Sequence, residues 1–208
     1  MKHPRSLLKT LLHRLSLLAM LVFILGPLVQ SVLLSFTVTL EHEGYQKGQW
    51  ALLNYQNVFR EPDLIASLGN SIIYVTLNVA LTLLVALPAA YALSRHRFVG
   101  DKHLMLLLLA FRITPPVVLS LPIFLLFAKL NLLNSPVGIA LVHCLFNVPI
   151  AIWILSSFMS AVPRAFDETA FLDGHSRPSF FIKFMIPAIA PGIGTASFFC
   201  FIFSWVEV

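Results

Sequence analysis

Long uncharged apolar runs constrain the fold of this chain more than any other feature of its sequence. A bilayer core about 30 Å thick is crossed by roughly 20 apolar residues in a helix. Only 11% of the residues are charged, whereas soluble domains have roughly 25%, and a soluble core would not produce five such runs. Four runs lack Asp, Glu, Lys and Arg, and a fifth holds one arginine: residues 15–40, 64–94, 130–163 and 184–206, and residues 104–128.

These runs predict an all-α fold, a polytopic membrane helix bundle with five spans. The first run is too long for the core of a signal peptide and lacks an evident cleavage site, so we expect it to be retained. Prolines are expected to interrupt the third span, since they break the helical hydrogen-bond ladder. The predicted segments are an N-terminus 1–12, a first span 13–37, an external segment 38–66, and a core domain 67–208 comprising spans 67–94, 104–128, 136–160 and 188–208 and a polar loop 161–187.

Basic residues are concentrated in alternate loops. They precede the first span and follow the second and fourth spans, whereas the segment 38–66 contains more acids than bases. Because basic residues mark the cytoplasmic side of short loops, we expect the N-terminus and residues 95–103 and 161–187 to be cytoplasmic. The basic residues form no continuous stripe, so nucleic acid is not an expected partner. Cys144 and Cys200 lie in predicted spans without metal-ligand spacing, which favours a packing role over a metal site or a disulfide.

Several polar or amphipathic side chains fall within the predicted spans. Lipid offers no hydrogen-bonding partner, so these groups must face protein or water. They could line a translocation path or contact the solute, or they could only join helices by hydrogen bonds. For the arginine, a further alternative is that it extends back towards the headgroups. The residues concerned are Asn78, Arg112, His143, Asn147 and Trp153.

A compact polar insert, DETAFLDGHSRPSFFIKFMIP at 167–187, separates the last two spans. Gly174 is placed where a helix should stop, because glycine readily adopts the left-handed cap conformation. Ser176 is expected to cap a second short helix. The three acids are too sparse for a typical oxygen-ligand metal site, and no nucleophile accompanies Glu168 and His175 for acid–base catalysis. The shape of the insert suits a docking element for another protein, and its composition alone is equally consistent with a plain solvated loop.

The insert resembles the EAA loop of permease subunits of ABC importers, in the carbohydrate-uptake, maltose-permease-like branch. Glu168, Ala170, Gly174 and Pro187 match the loop pattern, and Asp173 matches that branch. Thr169 stands where the motif has an alanine. The resemblance extends through the chain after residue 48, with landmarks at QWALLNYQNVF, NSIIYV, AAYALSRHRFVG, RITPPVVLSLPIFLLF, LFNVPIAIWIL and FSWVEV.

The resemblance implies the type I ABC importer permease fold, in which a sixth span would follow, so we expect this chain to be a fragment or a truncated product. It implies a transport subunit rather than an enzyme, in a bacterial inner membrane, for a sugar or polyol. The implied partners are two ATP-binding subunits that carry the ATP and Mg, a second, non-identical permease, and an extracytoplasmic solute-binding protein.

In this family the loop docks on the ATPase, so Glu168 would orient the coupling element and Gly174 would form its turn. No G-x-x-x-x-G-K-[ST] run occurs in the chain, so no phosphate-binding loop of that type is predicted. The alternative function is an ATP-independent secondary transporter or channel.

Overall fold

Helices account for nearly all the regular structure of this chain. A computed structural model describes residues 4–38, 44–96 and 100–207. Within these ranges no β-strand forms, and Thr37 and Trp50 make an isolated antiparallel bridge. The elements are α1 (Pro4–Ser35), α2 (Leu53–Arg60), α3 (Pro62–Arg95), α4 (Asp101–Ile113), α5 (Pro116–Lys129), α6 (Pro136–Ala161), α7 (Arg164–Leu172), α8 (Arg177–Phe180), a π-helical turn (Phe181–Met185), α9 (Ile186–Ala188) and α10 (Ala190–Val206).

Three of these helices are long and apolar enough to cross a membrane, namely α1 from Lys9 onwards, α3 and α6. A fourth candidate is the helical path Arg177–Ala188 followed by α10, which bends by 76° between the two parts. The all-α, membrane-spanning class predicted from the apolar runs is therefore confirmed. The chain divides into two compact units, residues 1–67 and 68–208.

The run predicted as a third span, 104–128, forms two shorter helices. Thr114 has φ −61° and ψ 126°, and Pro115 has φ −58° and ψ 129°. Each of these residues precedes a proline, and the proline ring disfavours the helical conformation of the residue before it. The consecutive prolines thus end α4 and start α5, while Pro122 is accommodated inside α5. The halves have 13 and 14 residues, shorter than a full span.

Within the first unit, α2 is fastened to the end of α1. The Asn54 Nδ2 group donates hydrogen bonds to the carbonyl oxygens of Ser35 at 3.1 Å and Thr37 at 2.9 Å. The Tyr55 and Ser35 hydroxyls are 2.8 Å apart. The Ser35 carbonyl belongs to the last turn of α1, where carbonyl groups lack partners within the helix.

In the second unit, α6 packs closely against α10, and small residues of α3, α6 and α10 share one apolar core. Ala86, Ala90, Ala151 and Ala196 are fully buried in one apolar core. Gly192 of α10 lies directly against α6, because a Cβ atom added there would be 2.5 Å from Cγ of Phe158. Small residues at such crossings let helix backbones approach and gain van der Waals contact. This packing brings the polar residues of the three helices together.

Candidate functional site

The helix α7 and its glycine turn form a short, well-defined element. Gly174 has φ +82°, which is the left-handed conformation expected from the sequence. The Gly174 amide donates to the carbonyl of Phe171 at 3.1 Å, and the His175 amide donates to that of Ala170 at 3.1 Å. This pair of bonds is the Schellman motif, which satisfies carbonyls at the end of a helix. The turn therefore closes α7 and reverses the chain towards α8.

The residues predicted to form the coupling element are brought together on α7 and its cap, with one exception. Glu168, Thr169, Asp173 and Gly174 are exposed, whereas Ala170 is buried beneath them. Pro187 lies in α9, beyond the π-helical turn, and is exposed there. The element thus presents polar groups outwards and an apolar face inwards.

The inward face of α7 rests on an aromatic cluster centred on Phe180, whose side chain is fully buried. Edge-to-face contacts join the Phe180 ring to Phe166 and Phe171, with ring centroids 5.9 and 5.4 Å apart. Phe184 stacks on Phe180 at 6.0 Å, and the Tyr91 ring of α3 lies 6.5 Å from it. Such aromatic pairs contribute about 0.5–1.5 kcal/mol each beyond area burial. These ring contacts hold the inward face of α7 in a defined position.

Sequence reasoning missed a buried ion pair beneath α7. Arg95, the last residue of α3, donates from Nε to Asp167 Oδ2 at 2.8 Å and from Nη2 to Asp167 Oδ1 at 2.9 Å. The two side chains are 6% and 10% exposed. The available signal was an arginine at the end of one span and an acid in the insert, but many charged residues in these loops share that description. The pairing of Arg95 with Asp167 is determined by the folded structure and not by the local sequence.

The prediction for Ser176 was wrong in one respect. Ser176 occupies the N-cap position of α8, but its side chain makes no capping hydrogen bond. A capping oxygen accepts from the amide of the second or third helical residue. Pro178 is the second residue of α8 and has no amide hydrogen, so one of these two donors is absent.

Two of the predicted span residues meet in a buried hydrogen-bond network between α3, α6 and α10. The Ser204 Oγ atom accepts from Asn78 Nδ2 at 2.5 Å and from Asn147 Nδ2 at 3.0 Å. Thr82 donates to Asn78 Oδ1 at 2.9 Å, and the Tyr74 hydroxyl donates to the Ser204 carbonyl at 3.2 Å. Asn78 and Asn147 are at most 1% exposed. Ser204, which sequence reasoning did not select, is the centre of this network.

The other predicted span residues are arranged differently. His143 stacks on Tyr74 with ring centroids 5.8 Å apart, and its Nδ1 lies 3.8 Å from Glu207 Oε2. The Arg112 guanidinium lies 4.3 Å from the centre of the Phe203 ring, a cation–π contact. These residues therefore surround the last turns of α10.

Trp153, by contrast, is 53% exposed on α6. Both cysteines are buried and free. Among residues 4–38, 44–96 and 100–207, no three His, Cys, Asp or Glu side chains are grouped to hold a metal ion.

Residues 82–208, more than half of the chain, match the family described as binding-protein-dependent transport system inner membrane component. The chain is 34% identical over 156 residues to the sulfoquinovosyl glycerol transport system permease protein SmoH of Agrobacterium fabrum, covering 75% of this chain and 55% of SmoH. It is 31% identical over 155 residues to the trehalose transport system permease protein SugB of Mycobacterium tuberculosis, covering 74% of this chain and 57% of SugB.

A more extended match is the trehalose/maltose transport system permease protein MalG of Thermococcus litoralis, which is 28% identical over 206 residues, covering 97% of this chain and 74% of MalG. The chain thus spans little more than half the length of SmoH and SugB.

The fold is also shared with a solved structure. The crystal structure of a bacterial ABC transporter involved in the import of the acidic polysaccharide alginate superposes with a TM-score of 0.77 at 22% identity. The match covers 99% of this chain and 73% of that chain. The fold and the family match agree, and the chain belongs to the family of binding-protein-dependent transport system inner membrane components.

Proposed function

We propose that the chain is a permease subunit of an ATP-driven importer for a sugar or polyol, and that α7 with its Gly174 turn is the element on which an ATPase subunit acts. The observation that carries this proposal is the two-sided construction of α7. Its outer surface presents Glu168, Thr169 and Asp173, while its inner surface is held by Phe180 and the Arg95–Asp167 pair. An element whose inner face is packed against the protein and whose outer face is polar and exposed suits docking to another protein.

The ATP and Mg would be bound by two ATPase subunits rather than by this chain. A second, non-identical permease would complete the pathway, and an extracytoplasmic solute-binding protein would deliver the solute. The chain would lie in a bacterial inner membrane with its N-terminus and α7 in the cytoplasm. Support for a sugar or polyol comes from the names of SmoH, SugB and MalG, all transport system permeases for sugars or sugar derivatives.

Among the polar residues predicted in the spans, those whose side chains remain accessible are the better candidates for contact with the solute. Asn78 and Asn147 are buried and donate their amide hydrogens to α10, so a solute would have to displace those bonds. Arg112 and His143 are half-buried, and Trp153 is exposed. We therefore assign Asn78 and Asn147 first to joining the helices, and expect Arg112, His143 and Trp153 to be the better candidates for a path.

The test is a substitution of Gly174 by alanine. A Cβ atom there meets nothing within 4 Å, so the only penalty comes from φ +82°, about 1–2 kcal/mol. We expect the turn to relax, with loss of the ATPase subunit that co-purifies with the chain and loss of uptake of labelled sugars and polyols in membrane vesicles.

Two control variants isolate the cause. Gly48→Ala introduces the same kind of strain, since φ is +86° with open space around it, but lies in the segment before α2. Gly194→Ala adds a methyl group in open space within α10 at an ordinary φ. Both are expected to retain ATPase co-purification and uptake. Retention of both properties by Gly174→Ala, at the level of these controls, would refute the coupling role.

A further inference from the structure

The guanidinium of Arg95 joins three helical elements through one side chain. Besides its two bonds to Asp167 on α7, Nη1 donates to the carbonyl oxygens of Met159 at 3.0 Å and Val162 at 3.1 Å. Met159 belongs to the last turn of α6, and Val162 is its C-cap. Four of the five guanidinium hydrogens thus have partners within the second unit, on elements that are separate in sequence.

The position of this charge is favourable for α6. The carbonyl groups at the end of a helix lack the regular amide partners of the helix interior, and they form the negative end of its dipole. Here the Met159 carbonyl also accepts from the Val162 amide at 3.2 Å. Arg95 supplies both hydrogen bonds and a positive charge to this end. Asp167 then neutralises the guanidinium, which could not otherwise be buried at 6% exposure.

The geometry requires an arginine and a carboxylate. Two parallel N–H···O bonds fix both the distance and the relative orientation of the two groups, whereas an ammonium group acts as a single point of charge. Lysine at position 95 would keep the charge but could not hold Asp167 in two places while also reaching both carbonyls. The paired bonds therefore prevent α7 from rotating against the ends of α3 and α6.

We propose that Arg95 is a positioning residue that makes α7 and the adjoining ends of α3 and α6 one rigid body, so that a force applied to α7 moves both spans together. This inference rests on the proposed function, since it presumes that a partner pushes or pulls on α7. We call the buried Arg95–Asp167 ion pair, with its bonds to the end of α6, the Arg95 clamp. Asp167 is not itself a docking residue, because its side chain is turned inwards and buried.

The experiment measures the distance between spin labels on α3 and α7 in the full chain, in membranes, with its co-purifying ATPase. Labels are placed at Leu68→Cys and Leu172→Cys, since both side chains are exposed, at 43% and 88%. Leu68 lies about 40 Å from Arg95 along α3 at roughly 1.5 Å per residue, which suits pulsed dipolar spectroscopy. Cys144 and Cys200 are replaced by alanine so that only the introduced cysteines are labelled.

In the parent protein we expect a single narrow distance peak that stays narrow when Mg-ATP is added. Asp167→Asn and Arg95→Lys should each lose the narrow peak and give a broad distance distribution. Asp167→Glu keeps the carboxylate, so this variant should show the narrow peak. Arg164→Gln is the matched control, because Arg164 is exposed and its bond within the described part of the chain is to the backbone carbonyl of Arg95, at 3.4 Å. It should behave as the parent does.

Narrow peaks in both Asp167→Asn and Arg95→Lys would overturn the proposal. Because Arg95→Lys keeps the positive charge at the end of α6, it supplies the test where Asp167→Asn accumulates poorly. The result is separable from the proposed function. Broad distributions in Asp167→Asn and Arg95→Lys, together with unimpaired ATPase co-purification and uptake in Gly174→Ala, would support the clamp and refute the coupling role. Narrow peaks in both clamp variants, together with loss of co-purification and uptake in Gly174→Ala, would refute the clamp alone.

Discussion

The hydroxyl group of Ser204 should contribute measurably to the packing of α10 against α3 and α6. Ser204→Ala removes the shared acceptor of Asn78 and Asn147, while the Tyr74 bond to the Ser204 carbonyl and the 3.4 Å bond from Asn147 to the Cys200 carbonyl remain. Interhelical hydrogen bonds in membranes average about 0.6 kcal/mol and reach roughly 1.7 kcal/mol. Two such bonds give about 1.2 kcal/mol, with an upper bound of about 3.4 kcal/mol.

The buried thiol of Cys200 provides the assay, since it lies one turn before Ser204 and is fully buried. If it is labelled only when α10 opens, the labelling rate reports the opening equilibrium. A loss of about 1.2 kcal/mol raises that rate roughly eightfold. Cys144 is replaced by alanine in all samples so that labelling reports one site.

Ser197→Ala is the matched control in the same helix, because among the described residues the Ser197 hydroxyl bonds the Ile193 carbonyl of its own helix, at 2.7 Å. Its labelling rate should stay within a small factor of the parent rate. An unchanged rate in Ser204→Ala, or an equal increase in both variants, would show that the network does not join the helices as the geometry indicates.

Two further predictions concern α10. Gly192→Ala should destabilise the chain by about 1–3 kcal/mol through overpacking, because the added Cβ would meet Cβ of Phe158 at 2.9 Å. Thermal unfolding in detergent measures this loss, with Gly194→Ala as the control. Equal stability of the two variants would contradict the prediction. Arg112→Met, which keeps a long apolar side chain, should lose the cation–π contact with Phe203, about 0.5–2 kcal/mol, so its unfolding temperature should fall below that of the control Arg164→Met.

The sequence was sufficient to predict the long helices and the turn at Gly174. Apolar runs of span length have few alternatives in a bilayer, because backbone groups must find partners within the segment. The left-handed turn followed from local chemistry, since glycine adopts φ > 0 with little penalty and stands where the helical pattern ends. The break at Thr114 and Pro115 could have been placed by the same local reasoning, since two consecutive prolines disfavour the helical conformation at both of the residues that precede them.

The partners of polar side chains could not be predicted in this way. Arg95 and Asp167 are 72 residues apart, and Asn78 and Ser204 are 126 residues apart. Helical periodicity says which residues share a face of one helix, but the choice of a partner on another helix depends on how the helices pack. Ser204 carries no distinguishing local signal, because serines in spans commonly bond a carbonyl of their own helix, as Ser197 does.

The Ser204 network and the Arg95 clamp, the two polar centres of the second unit, differ in the free energy that it costs to break them. The Ser204 network consists of neutral groups, and each of its interhelical bonds contributes only about 0.6 kcal/mol. The Arg95 clamp is a buried ion pair, and removing one partner of such a pair costs about 3–5 kcal/mol. Along α3, Asn78 and Arg95 are separated by about 25 Å at roughly 1.5 Å per residue. Helices that are tied weakly at mid-span and strongly at the end carrying α7 can change their packing in the middle while their ends move as one. That combination is what the proposed coupling through α7 would require.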